Sequence, residues 1–319
     1  MAEYFASRPD WGVRLLRITL AFWVSLLCVT VTYASGNDKL VALRATITVA
    51  NKGDSTISPY IQRITYPAAD IAQQQLQRIE YPHAEPYTIE VHPNGIDKYI
   101  EFSTNIPPRS VLERQVVFYL RLTPYDYKID TQAASVALTG SDRYFLKPTQ
   151  YVESDAPEVK RIAEYIRRSY TGKENQLKAA YLYPQSLLKY RNMDNRGALY
   201  ALHNGIGDCT EYAAVFISVA RAMGVPARLT SEFRFDTDFE FSQPNHNAAE
   251  VYLDGRWIPV DPNLALDPSL GYGFGLSAAS KVVLKRDGSW VWSNRIEGVS
   301  KQYRDAFIDV GIVWDIKVL

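Results

Sequence analysis

Two runs, Gly205-Ile-Gly-Asp-Cys-Thr-Glu-Tyr-Ala213 and Arg221-Ala-Met-Gly-Val-Pro-Ala-Arg228, decide how this chain is read. Across them Tyr212, Ala213, Phe216, Val219, Ala220 and Met223 recur at helical spacing and make one apolar face. Gly224 supplies a stop and Pro226 forbids continuation, so the spacing predicts a helix that starts at Cys209. The unpaired N–H groups and the dipole at a helix N-terminus stabilise an anion, so a thiol placed there gives up its proton more readily. The backbone N–H of Cys209 can also face the oxygen of an attacked carbonyl and form half of an oxyanion hole. Asp208 fits as a cap, but its charge opposes a thiolate. Most cysteines at helix starts are not catalytic, so the signal has to be strengthened from elsewhere.

The segment His246 to Pro262 strengthens it. His246–Leu253 and Arg256–Pro262 read as two strands around Asp254-Gly255, a favoured two-residue turn. With that turn Leu253 faces Arg256, and counting outward sets Asp261 opposite Ala248. Asp261 and His246 then share a face as diagonal neighbours, close enough for carboxylate to reach imidazole. A slip of one residue would put them on opposite faces. A carboxylate there fixes the ring and stabilises the imidazolium. The other ring nitrogen is left to pair with a thiolate and later to protonate a leaving amine. Singly, His246 and Asp261 are more often structural. Together with Cys209, in this order, they are the expected catalytic residues.

Upstream, Ser154 and Asp155 can cap a helix with Pro157 in its first turn and Val159, Ile162, Ala163, Ile166 and Tyr170 on one face. A second helix is expected over Gln176–Tyr183, stopping before Pro184, and a third over Ala198–His203, ending at Asn204-Gly205. Before these, Lys39 to Tyr127 reads as β. Val41, Leu43, Ala45, Ile47 and Val49 alternate, as do Val116, Phe118, Leu120 and Leu122. Pro93-Asn-Gly95 joins Tyr87–Val91 to Ile96–Phe102 as a hairpin, and Pro107-Pro108 marks a turn. These strands predict an immunoglobulin-like sandwich over 38–135, more readily a structural spacer than a binding module. Thr123 to Gln150 is irregular, and 145–319 is expected as the second, α+β domain. Within it Trp290–Trp292 and Val310–Val318 should complete a sheet, and the two tryptophans could line a groove. Gly271-Tyr-Gly-Phe-Gly275 lacks the strand-then-helix context of a phosphate loop and reads as a rim loop beside the site.

The composition of the 319 residues is ordinary for a globular protein, and lysine plus arginine balance aspartate plus glutamate at 35 each. With no basic block, a nucleic-acid partner is not expected. Arg14 and Arg17 precede an uncharged run, Ile18 to Ala34, with Thr32 and Ala34 ahead of a cleavage point before Ser35. This is the pattern of a signal peptide, with an uncleaved anchor over 18–34 as the alternative. Either orients the body outward, periplasmic or secreted. Cys28 falls inside the apolar run, which leaves Cys209 with no cysteine to pair with and no second thiol for zinc. No cofactor and no metal is expected.

Residues 205–263 resemble the core of the transglutaminase-like superfamily, which shares its fold with papain-type proteases. The likeness rests on Gly207-Asp-Cys209, Arg221–Arg228, His246-Asn-Ala-Ala-Glu250 and Trp257-Ile-Pro-Val-Asp-Pro262. It implies Cys209 as nucleophile, His246 as base and acid, Asp261 as orienter, and a protein or peptide substrate, cell-wall peptide included. Arg228, Glu250 and Trp257 match positions that read as a buried pair and a packing aromatic. An immunoglobulin-like domain before the core is similar to exported bacterial members. The chain departs from the family at Asn247-Ala248, where Ala-Trp is usual, so specificity does not carry over. Tyr200, His203 and Asn204 are candidates for a side-chain oxyanion donor. The expected activity is hydrolysis or acyl transfer at an amide through a thioester. The alternative is a non-catalytic scaffold on the same fold.

Overall fold

The computed structural model describes residues 37–69, 71–83, 86–128, 138–236 and 239–319. The expected signal or anchor segment lies outside them. No helix among the described residues is long and apolar enough to cross a membrane.

The chain begins with six antiparallel strands: β1 (Lys39–Asn51), β2 (Ile57–Tyr66), β3 (Gln74–Glu80), β4 (Tyr87–Val91), β5 (Lys98–Ile106) and β6 (Ser110–Leu122). Alternation predicts β1 and β6, and their odd and even apolar sets, Val41 to Val49 and Val116 to Leu122, are buried. The turn at Pro93-Asn-Gly95 joins β4 to β5 as expected, with Gly95 at φ 77°. A short β7 (Tyr125–Asp126) and α1 (Gly140–Tyr144) lead to α2 (Pro157–Ser169), α3 (Lys173–Leu187), β8 (Lys189–Tyr190), α4 (Ala198–Asn204), β9 (Ile206–Gly207) and α5 (Cys209–Ala222). Then come β10 (Ala227–Arg234), β11 (Phe239–Phe241), β12 (His246–Leu253), β13 (Arg256–Val260), β14 (Leu276–Ser277), β15 (Lys281–Arg286), β16 (Trp292–Ile296), α6 (Lys301–Phe307) and β17 (Ile308–Val318).

Three sheets matter. One has the order β11-β17-β1-β6-β3 and a second β16-β2-β5-β4; side chains of both enter one apolar core. The third, β13-β12-β10-β15, carries α5 and belongs to the α+β core. The two C-terminal strands do complete a sheet, but not in the domain expected for 145–319. β16 pairs with β2 and β17 lies between β1 and β11. Trp314 of β17 is fully buried in the shared core beside Phe233 of β10, so the chain's end closes the sandwich. Pairing between distant strands leaves no local signature, which is why the sequence division at 135–145 misses it.

Two helix ends also differ from expectation. α2 is capped at Ala156 with no side-chain bond, not by Ser154 or Asp155. α3 starts at Lys173 and runs through Pro184, because one more turn is held by the Leu188 N–H donating to the Pro184 carbonyl at 2.8 Å. α5 is buried on every side from Thr210 to Arg221, enclosed by α2, α3, α4 and the third sheet, where the sequence predicts one apolar face. Its polar residues therefore need partners inside. Arg221 finds them in the carbonyls of Ala227 and Lys147 and in Asp287.

Candidate active site

The site is built on the N-terminus of α5. Asp208 caps it, accepting the Thr210 N–H at 2.8 Å, and Glu211 accepts the Asp208 N–H at 3.2 Å. This reciprocal pair fixes the first turn. Glu211 also accepts the Arg196 N–H at 2.8 Å and the Gly197 N–H at 3.2 Å, tying the preceding loop to the turn. A Cβ at Gly207 would lie 2.4 Å from the Glu211 Cβ, so the close approach requires glycine. Cys209 follows as the first helical residue, half-buried, with a free thiol.

The hairpin of β12 and β13 forms in the expected register, Leu253 opposite Arg256 and Ala249 opposite Val260. Its turn has φ 51° at Asp254 and 85° at Gly255, the geometry that matches strand twist. His246 opens β12 and Asp261 follows β13. Their side chains meet at 2.8 Å, Nε2 to Oδ2, and both are buried. The other Asp261 oxygen accepts the Leu264 N–H at 2.9 Å, and the Asp261 N–H donates to the Gly273 carbonyl at 3.1 Å. The Gly271–Gly275 segment thus lines the site, with Tyr272 buried. The Cys209 thiol lies close enough to the His246 ring to help raise its pKa. Because Nε2 is taken by Asp261, Nδ1 is the atom left for sulfur.

Burial alone would push the His246 ring down. The charge and hydrogen bond of Asp261, with help from Cys209 and Glu232, outweigh it and raise the pKa to about 10. Burial would likewise raise Asp261, but the imidazolium, its hydrogen bond, Lys281 and the Leu264 N–H hold the carboxylate below its ordinary value. The arrangement is a cationic ring clamped by an anion and facing a thiol, competent for nucleophilic attack and proton return.

Asn247, at the departure from the family pattern, is a brace. Its Nδ2 donates to the Thr210 hydroxyl at 3.0 Å, and its Oδ1 accepts the Ser231 hydroxyl at 2.9 Å, while Ala248 is fully buried. Asn247 therefore ties the histidine strand to the cysteine helix one residue along from each reactive group. Arg228 and Glu250 form the expected buried pair at 2.6 Å, with the Trp257 ring 3.9 Å from the guanidinium. The oxyanion candidates fall elsewhere: His203 meets Glu158 at 2.7 Å, and Asn204 donates to the Tyr200 carbonyl on its own helix. Tyr190 lies near Cys209 instead. β8 pairs in parallel with β9, which sets Tyr190 against Gly207, exposed and within electrostatic reach of Cys209. A two-residue parallel pairing carries no sequence signal.

Residues 148–262 match the family model described as the transglutaminase-like superfamily. No curated protein matches the sequence. Among solved structures, a candidate cysteine protease from Cytophaga hutchinsonii aligns with TM-score 0.54 at 15% identity, covering 89% of this chain and 99% of the other. The periplasmic domain of TgpA from Pseudomonas aeruginosa, bound to ethylmercury, aligns with TM-score 0.36 at 15% identity, over 70% of this chain and 91% of that one. Motif and family model agree that residues 148–262 are similar to the transglutaminase-like core, and the fold of the chain is similar to that of the Cytophaga hutchinsonii structure.

Proposed function

We propose that the protein is an exported cysteine enzyme that cleaves or transfers amide-linked acyl groups. The observation that carries this is the buried His246–Asp261 pair at 2.8 Å, with its free ring nitrogen turned to a thiol at a helix N-terminus. Cys209 as thiolate adds to an amide carbonyl carbon, and the carbonyl electron pair moves to oxygen near the Cys209 N–H. Collapse breaks the C–N bond, and the amine departs with the proton of His246, leaving a thioester. Water or a second amine, deprotonated by His246, then attacks the thioester and releases the thiolate. Water gives hydrolysis; an amine gives transfer. The substrate is a protein or peptide, cell-wall peptide included. Arg14, Arg17 and the apolar run 18–34, as cleaved signal or retained anchor, support action outside the cytoplasm.

The test is substrate profiling of the wild-type chain against Cys209→Ala on protein and peptidoglycan-fragment libraries. Products that depend on Cys209 are expected. Identical profiles from the two proteins would contradict the reading and favour a scaffold.

A further inference from the structure

The catalytic pair does not end at Asp261. Glu232 of β10 stands directly opposite His246 in the β10–β12 ladder. Side-chain atoms of Glu232, His246 and Asp261 all lie within 4.8 Å of one another, and all three residues are buried. Beyond Glu232, the Lys281 ammonium lies 2.7 Å from its carboxylate, both side chains 2% exposed. The second carboxylate oxygen accepts the Thr230 hydroxyl at 2.7 Å. Four ionisable groups from four segments thus form one buried row: Asp261, His246, Glu232, Lys281.

The row depends on an irregularity. β10 pairs with β15 as Thr230–Arg286 and Ser231–Lys285, then shifts by one residue to Glu232–Val283 and Arg234–Lys281. Leu284 is the extra residue. Had the first register continued, Lys281 would fall opposite Phe235 and point with it toward the apolar sandwich core. The bulge turns Lys281 to the Glu232 face, as bulges near active sites re-aim side chains.

Counting formal charges shows what the row does. Two carboxylates and one ammonium leave a single negative charge, which the imidazolium cancels. Glu232 therefore favours the protonated ring. Lys281 limits that preference, so that the ring still delivers its proton to a leaving amine. Burial alone would push the Lys281 ammonium down, but Glu232, Asp261 and Tyr272 outweigh burial and keep it charged. Tyr272 adds its ring face, 5.1 Å from the ammonium. Cys209 on α5 also faces the ring.

We propose that Glu232 and Lys281 are positioning residues, a counter-charged pair that sets how tightly His246 holds its proton. The proposal takes its interest from the proposed enzyme but is tested without it. NMR titration of the His246 ring would be followed in the full chain, the resonance being assigned by its loss in His246→Gln. Glu232→Gln removes a negative charge and should lower the ring's proton affinity by about tenfold or more. Lys281→Met removes a positive charge and should raise it by a similar factor. The double variant Glu232→Gln/Lys281→Met restores neutrality and should return the ring to within about threefold of wild type. Should Lys281→Met not fold with a lone buried carboxylate, the double variant and Lys281→Arg still report; Lys281→Arg should match wild type. Single variants that leave the ring unmoved, or both move it the same way, would overturn the proposal. A ring that shifts as expected in a protein whose Cys209 turns over no substrate would support the pairing and remove only the enzyme reading.

Discussion

His246 carries a proton that burial opposes, and Asp261, 2.8 Å away, is the reason. With its pKa raised from 6.5 to about 10, the ring stabilises the fold fully below its ordinary value and loses that contribution as pH rises through the folded one. Asp261 is depressed, so its share is present above the ordinary carboxylate value and disappears as pH falls through its own. Thermal unfolding should therefore show Tm declining between roughly pH 6.5 and 10. Asp261→Asn should lower Tm at neutral pH and flatten that decline. The same variant should lower kcat by about 10⁴-fold, measured with any substrate the profiling returns, because the ring loses its orienting anion. An unchanged pH profile of Tm would show that the pair does not couple to folding. Gly207 is the other sharp residue. Gly207→Ala forces the helix start against the Glu211 Cβ at 2.4 Å and should cost about 1–3 kcal/mol by urea denaturation. At this scale the sequence is informative: the glycine, the cysteine and the aspartate cap sit where their chemistry requires. Tyr190 and Lys281 were not legible, because a parallel two-residue pairing and a one-residue bulge decide where they point.

The hairpin and α5 are the elements that must hold a fixed relation. The hairpin's register was legible because Asp254-Gly255 permits one tight turn and alternation does the rest. What joins hairpin to helix is not, since Asn247 stands where the family pattern has alanine and the missing aromatic is at Ala248. Asn247 acts through two hydrogen bonds, to Thr210 and from Ser231. Asn247→Ala leaves the Thr210 hydroxyl without its donor partner and should cost about 1–2 kcal/mol in stability. It should also reduce kcat more than it changes KM, since the cysteine and histidine lose their shared brace. Equal loss in KM alone would mean that Asn247 touches substrate. Gly255→Ala, at φ 85°, should destabilise by about 1–3 kcal/mol and lower activity with it. Thermal unfolding and turnover on the same preparations check both.

Across the whole molecule, sandwich and core are welded by strands that the sequence places in the wrong half. β17 joins β1 to β11, and the apolar core continues from both sandwich sheets to Phe233, Val282 and Leu284 of the core sheet. Fragments 38–135 and 145–319 are therefore expected not to unfold cooperatively when made separately. Trp314→Ala in the full chain should cost about 3–5 kcal/mol, measured by denaturant titration. Cooperative unfolding of either fragment would show that the weld is dispensable. β1, β4, β5 and β6 are legible from alternation and the Pro93-Asn-Gly95 turn, whereas β2, β3 and the choice of neighbouring strands are not. The central claim remains that Cys209 and His246 act as one chemical unit. Its most direct measurement is site-resolved mass spectrometry after brief incubation with an electrophilic amide probe, comparing wild type, Cys209→Ala and His246→Ala. A single adduct on Cys209 is predicted in wild type, absent in Cys209→Ala and strongly slowed in His246→Ala. Equal labelling of all three proteins would contradict it.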